Sequence, residues 1–231
     1  MIDPPSNAGR KRPDCAIDKP DAIILSHQRS GTHFLQACLA SHPDVAARDE
    51  CFMHFRKLST GERGEREARL ISYRLRNEPG RCNLAIVMYS QVPLLEEFCC
   101  ALTDLKIIHL VREPRAVAMS FAQMRADKAE MGEHYRPHYA VNETPHRACP
   151  VKEAVDRLER EISAQQAHFH QVLAAHLDVL TVTYEELTGN QQTQTLSPTH
   201  ARRILSFLGL AEAPLVNQLR KTSLSQPTDS N

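Results

Sequence analysis

The chain has 231 residues, and its 28 Lys+Arg balance 28 Asp+Glu to a formal net charge of zero. That length holds one large domain or two small ones, and the zero balance argues against bulk electrostatic attachment to nucleic acid or to an anionic membrane. No apolar stretch reaches the roughly 20 residues of a membrane helix, and the seven cysteines, odd in number and without a C-x-x-C, argue against a disulfide framework or zinc site.

A reducing, cytoplasmic setting is the simplest reading of that cysteine usage. Residues 1–20 carry charges and four prolines but no apolar core of a secretory signal, and read as a flexible lead-in. Ala22-Ile23-Ile24-Leu25 is then a short apolar run of strand type. Thr32 to Ala40 has a helical pattern, ended by Ser41-His42-Pro43. Leu84 to Tyr89 is a weaker strand, Leu94 to Leu102 a helix, and Lys106 to Val111 a strand. Pro114 sits at a first-turn position of a helix reaching Arg125. The longest helix pattern runs from about Val151 to His176, with Val155, Leu158, Ile162, Ala164, Phe169, Val172 and Leu173 roughly on one stripe. Val179 to Tyr184 is the last strand.

Such runs lack clean alternation, which suits strands covered on both faces. Their alternation with helices implies an α/β fold: a three-layer sandwich around a central, mostly parallel sheet. A single domain over residues 21–215 is expected, followed by a tail at 216–231. Two segments fit no period. Residues 56–81 are dense in charge, and 126–150 scatter His, Tyr and Pro. Both read as insertions that shape a substrate pocket. His134, His138 and His146 fall in the second and are read as loop residues, so no metal site is expected.

The chemistry concentrates after the first strand, in Ser26-His27-Gln28-Arg29-Ser30-Gly31-Thr32-His33-Phe34-Leu35. A strand, a glycine-containing polar loop and a helix start aim backbone N–H groups and a positive helix end at one point, which suits an anion. The loop departs from the Mg-ATP pattern G-x-x-x-x-G-K-[ST], because Thr32 rather than Lys follows Gly31 and the cation precedes the glycine at Arg29. Ser30 and Thr32 are candidate phosphate hydroxyls, and Thr32 is equally a helix-start residue. A second motif lies at Lys106 to Ser120. There the strand ends at Val111, Arg112 stands at the sheet edge, and Ser120 follows eight residues later on the next helix. Arginine grips phosphate bidentately and serine adds a hydroxyl donor.

Together the two motifs resemble the sulfotransferase family that uses 3'-phosphoadenosine 5'-phosphosulfate (PAPS). The resemblance implies a P-loop-like fold and PAPS as co-substrate, with 3',5'-ADP as product and no metal. It implies that Arg29, Ser30, Gly31, Thr32 and His33 form the 5'-phosphosulfate loop, and that Arg112 and Ser120 hold the 3'-phosphate. Arg29 would meet the oxygen between phosphorus and sulfur as that bond breaks. Softer similarity lies in Ser41-His42-Pro43-Asp44-Val45 with Glu50, and in Val182 to Leu187 with Ile204 to Leu210. Ile86 stands about where a strand of the family often carries Lys. The glycine-rich C-terminal nucleotide motif of animal members is absent, and Arg220-Lys221 is read as tail.

Sulfuryl transfer by this reading is in line, through a loose transition state like that of phosphoryl transfer. The acceptor hydroxyl needs a base. Glu50 is the first choice, on the family's placement of a Glu after the H-P-[D/N] segment, with His54 and His33 as alternatives. His27 and Gln28 line the loop without an assigned role, and His109 reads as a satisfied core histidine. The expected acceptor is a carbohydrate, glycolipid or small metabolite, with Tyr89, Tyr135 and Tyr139 available for stacking. The competing readings are a P-loop-type kinase or nucleotide hydrolase, and an inactive module that binds phosphonucleotides.

Overall fold

The computed structural model describes residues 21–50, 81–92, 105–132, 150–174, 178–189 and 195–217, with the backbone alone at 48–50. Five strands form one all-parallel sheet: β1 (Ala22–Ser26), β2 (Val45–Glu50), β3 (Cys82–Met88), β4 (Lys106–Val111) and β5 (Val179–Thr183). Their order across the sheet is β2-β3-β1-β4-β5. The helices are α1 (Thr32–Ala40), α2 (Pro114–Met131), α3 (Lys152–Leu173), α4 (Tyr184–Thr188) and α5 (Pro198–Leu208).

The absence of alternation in the strand sequences has a direct structural cause. All of β1 is buried, and its side chains feed two cores in turn. Ala22 and Ile24 point to one face, where they meet Leu35 and Leu39 of α1 and Ile204 and Leu205 of α5. Ile23 and Leu25 point to the other, with Ala85, Val87, Ile107 and then Phe169 and Leu173 of α3. A third cluster joins α2 to α3 through Val117, Ala118, Ala122, Val155, Leu158 and Ile162. Each fully buried Ile or Leu is worth about 1.5–3 kcal/mol, so the three layers are held chiefly by apolar burial.

The helix ends follow from local chemistry. The Glu113 carboxylate accepts from the Arg115 and Ala116 amides ahead of α2, and Pro114 takes the first turn. Ser197 accepts from the His200 amide ahead of α5, and Gly209 closes that helix in the left-handed conformation. Thr183 and Glu186 form a reciprocal capping box that stops β5 and starts α4.

Several boundaries differ from those read in the sequence. β2 is a strand that its polar sequence Val-Ala-Ala-Arg-Asp-Glu did not reveal, and it lies at the sheet edge, where one side of the ladder is left open. α2 continues to Met131, so residues 126–131 belong to a helix and not to the irregular segment. Tyr184 starts α4 and does not extend β5. Tyr89 is 3% exposed and stacked on Phe169, so it belongs to the core and offers no open stacking surface. The helix expected over Leu94 to Leu102, most of the 56–81 segment, the His134, His138 and His146 group, Tyr135, Tyr139 and the tail from residue 218 lie outside the described residues. Among the described residues no helix is long and apolar enough to cross a membrane.

Topology fixes where a ligand is received. The chain leaves β1 for α1 on one face, whereas β4 leads into α2, which packs with α3 on the other face. Beyond the carboxyl ends of β1 and β4 the connections therefore part, which opens the crevice typical of such sheets.

Candidate active site

Two hydrogen bonds tie the carboxyl ends of β1 and β4 together. Ser26 Oγ donates to the Leu110 carbonyl at 2.6 Å, and Arg112 Nη1 donates to the Arg29 carbonyl at 2.9 Å. The loop between β1 and α1 is thereby held against the first residues after β4. Arg29 is in the left-handed region at φ 69°, a conformation that costs a non-glycine residue about 1–3 kcal/mol and persists only where its surroundings enforce it. The bond from Arg112 is one such constraint.

Gly31 caps α1 at φ 90°, and no side chain caps that helix start. Only glycine fits there, because a Cβ would lie 2.3 Å from two ring carbons of Tyr184. Ser30 is fully buried, and its Oγ hydrogen-bonds to no group among the described residues. Thr32, at 2% exposure, opens the helix, and His33 is exposed on its first turn.

Arg112 approaches from the β4 side. Its guanidinium lies 4.7 Å from the centroid of the Tyr184 ring, and its Nε is enclosed without a hydrogen-bond partner among the described residues. Glu185 Oε1 stands 4.0 Å from that Nε, too far for a hydrogen bond, and accepts from the Glu113 amide at 3.2 Å. The Arg112 carbonyl accepts from Gln166 of α3 at 2.9 Å. Arg29 reaches across to α2, where its Nε donates to Ser120 Oγ at 3.1 Å. The structure thus brings Arg29, Ser30, Gly31, Thr32, Arg112 and Ser120 into one crevice, from sequence positions up to 91 residues apart. Two buried donors, a helix N-terminus and two guanidinium groups converge there, which suits a polyanion carrying more than one phosphate-like group.

Of the candidate bases, Glu50 is set apart from this cluster by its place in the sheet. Glu50 ends β2, paired by backbone register with Ile86 of β3, and β3 separates it from β1. His54 lies outside the described residues. His109 is 1% exposed; its Nε2 and Tyr89 Oη share a 2.5 Å hydrogen bond, while its Nδ1 has no hydrogen-bond partner among the described residues. It is therefore only half satisfied. Burial, aided by nearby His170, pushes its imidazole down to about 4, so it is neutral at neutral pH.

The opposite wall of the loop faces a cavity of about 160 Å³ between the loop, α2 and α3. His27, Ser90, Phe121, Arg125, Glu161 and Gln165 line it. Tyr184 and Glu185 were not assigned roles from the residues, yet they abut both phosphate motifs. The T-x-x-E capping box at Thr183 to Glu186 was the available signal, because it ends a parallel strand there and puts the next residues at the binding edge.

A sulfotransferase domain profile matches residues 19–230. No curated protein sequence matches the chain. Among solved structures, a sulfotransferase from Alicyclobacillus acidocaldarius aligns at 18% identity with a TM-score of 0.53, covering 88% of this chain and 86% of that one. The sulfotransferase domain from the curacin biosynthetic pathway aligns at 18% identity with a TM-score of 0.52, covering 84% and 75%. These two likenesses bear on the fold, which is the same α/β arrangement. The profile covers nearly the whole length, and the chain belongs to the sulfotransferase domain family.

Proposed function

We propose that the crevice between β1 and β4 binds PAPS, and that the enzyme moves its sulfuryl group to a hydroxyl of a carbohydrate, glycolipid or small metabolite. The observation that carries the donor half is the pair of enclosed, unpartnered donors, Ser30 Oγ and Arg112 Nε. A buried polar atom without a partner costs about 1–3 kcal/mol. Both would be satisfied by a ligand with an anionic group at each end of the crevice, and PAPS carries a 5'-phosphosulfate and a 3'-phosphate.

In this reading the amides after Gly31, Ser30 and Thr32 hold the 5'-phosphosulfate, with His33 at its edge. Arg112 and Ser120 hold the 3'-phosphate. Arg29 supplies charge where the bridging oxygen becomes a phosphate oxygen. Its left-handed backbone and its bond to Ser120 preset the guanidinium, which limits reorganisation during reaction. The phosphate leaving group is a good anion, so the loop residues suffice for its departure.

The test is ligand-dependent thermal stability followed by transfer of labelled sulfate from PAPS to a screen of saccharide, lipid and phenolic acceptors. Stabilisation by 3',5'-ADP with none by Mg-ATP is expected. Stabilisation by Mg-ATP alone would return the site to phosphoryl-transfer chemistry.

A further inference from the structure

His27 was left without a role by the sequence, yet its surroundings define one. It lies two residues before Arg29 and forms part of the cavity wall. Its ring sits edge-on to Tyr89, with centroids 6.1 Å apart, and to Phe121, at 6.2 Å. Those contacts hold the imidazole plane. Its Nδ1 is 2.8 Å from the Gln28 carbonyl oxygen. A carbonyl only accepts, so Nδ1 carries the proton and the lone pair of the neutral ring belongs to Nε2. No group among the described residues hydrogen-bonds to that Nε2. Burial holds the imidazole below its ordinary value of 6.5, against the opposing pull of the Gln28 carbonyl, so the neutral form prevails at neutral pH.

We infer that His27 is the general base of the transfer and that the cavity between the loop, α2 and α3 seats the acceptor. This rests on the sulfuryl-transfer reading. The acceptor oxygen attacks sulfur and forms the new S–O bond while the bond from sulfur to the 5'-phosphate oxygen breaks. The electron pair of the broken bond leaves on that phosphate oxygen, beside Arg29. The acceptor's proton passes to His27 Nε2 and then to solvent. The two other candidates among the described residues are less well placed. His33 is on α1, which packs on the opposite face of the sheet from α2 and α3, and Glu50 ends the outermost strand.

The lining also bears on the acceptor. Arg125 rests on the Phe121 ring, 4.6 Å from its centroid, and makes no ion pair among the described residues. Glu161 faces the same space, 3.9 Å from Arg157 of its own helix. Ser90 and Gln165 add neutral polar groups. Phe121, Leu158 and Ile162 make the rest of the lining apolar, so an acceptor that pairs hydroxyl groups with an apolar face, as one sugar ring does, fits it.

The experiment uses the full chain, PAPS, and water as the acceptor, read as release of inorganic sulfate, beside thermal stabilisation by 3',5'-ADP. His27→Gln is expected to lower kcat by about 10²–10⁴-fold and to keep the stabilisation by 3',5'-ADP. The wild-type kcat/KM is expected to fall on acidification with a midpoint below 6.5, and that limb disappears in the variant. The charged groups near His27 are Arg125 on α2 and Glu161 on α3, which line the same cavity, and Arg29 two residues along its own loop, whereas burial and the Gln28 carbonyl are what move its midpoint; Tyr89, backed by His109 of β4, borders it as a neutral group. Free imidazole should restore part of the turnover to His27→Ala. Activity of His27→Gln within about threefold of wild type overturns the assignment, as does loss of 3',5'-ADP binding together with activity. If the variant does not fold, the wild-type protein decides: an acidic limb with a midpoint below 6.5 supports the base, whereas a profile that stays flat down to the pH at which the protein unfolds overturns it. Binding of 3',5'-ADP without any PAPS hydrolysis also overturns it. Failure of the wild-type protein to bind either nucleotide removes the donor reading itself, a separate result.

Discussion

The two walls of the loop after β1 are built in different ways. The α1 side is mostly backbone: a left-handed Arg29, a glycine at a helix start with no side-chain cap, and strand ends tied by hydrogen bonds. On the α2 and α3 side it is side chains: an edge-on histidine, an arginine over a phenylalanine ring, a glutamate and a glutamine. Backbone geometry is hard to alter without losing the fold, whereas side chains on a rigid helix pair change freely. The donor wall therefore suits a fixed ligand and the cavity wall a variable one.

Gly31→Ala should strike the backbone wall hardest. The new methyl meets the Tyr184 ring at 2.3 Å and a φ of 90° disfavours it, so the loop must move. Loss of both 3',5'-ADP-dependent stabilisation and turnover is expected; a variant with normal binding by calorimetry would show the wall to be pliable. Arg29→Ala should lower kcat by about 10²–10³-fold, the usual loss for one preorganised donor, with a smaller change in 3',5'-ADP affinity. Equal losses in kcat and affinity would make Arg29 a binding group only.

His109 tests the support under the cavity wall, because its partner Tyr89 carries the edge of His27. Its folded value of about 4 lies below the ordinary 6.5. The unfolded chain thus binds the proton first as pH falls. Stability from this group is full above 6.5, declines from there toward 4, and the loss amounts to about 3 kcal/mol. Denaturant titrations at pH 7 and pH 4 should show that decline, and His109→Phe should reduce it. An unchanged slope in the variant would assign acid sensitivity to other groups. Arg112→Ala should weaken 3',5'-ADP binding about 10–100-fold, in line with about 1.5–3 kcal/mol for a hydrogen bond to a charged group. Tyr184→Leu, which removes the ring under Arg112, should cost only about 0.5–2 kcal/mol of that affinity, measurable by the same titration.

The same contrast explains what the sequence disclosed. The order strand, glycine loop, helix is local, so the Ser26 to Leu35 segment could be read directly, and Arg112 with Ser120 lie close in sequence. The covered strands also announced themselves, since Ile23 and Ile24 face different cores yet are both apolar. β2 did not, because an edge strand need not be apolar throughout. The cavity was illegible for another reason. His27, Ser90, Arg125 and Glu161 are ordinary polar residues until the β1 loop, the β3 end, α2 and α3 are brought together. Thr183 and Glu186 carry a capping pattern, but nothing in the sequence hints that the Tyr184 ring between them fills the space beside Gly31.

The bond from Ser26 Oγ to the Leu110 carbonyl joins positions 84 residues apart, and β1 lies between two strands that both come later in the chain. During synthesis β1 leaves the ribosome first and waits for β3 and then β4 before either of its edges is covered. Until Lys106 to Val111 has emerged, a strand whose residues are all buried in the finished fold presents an unpaired edge, the kind of surface that recruits other chains. The loop after β1 therefore takes shape only after about half the polypeptide exists, and slow translation or truncation before β4 would expose this protein to aggregation at that segment.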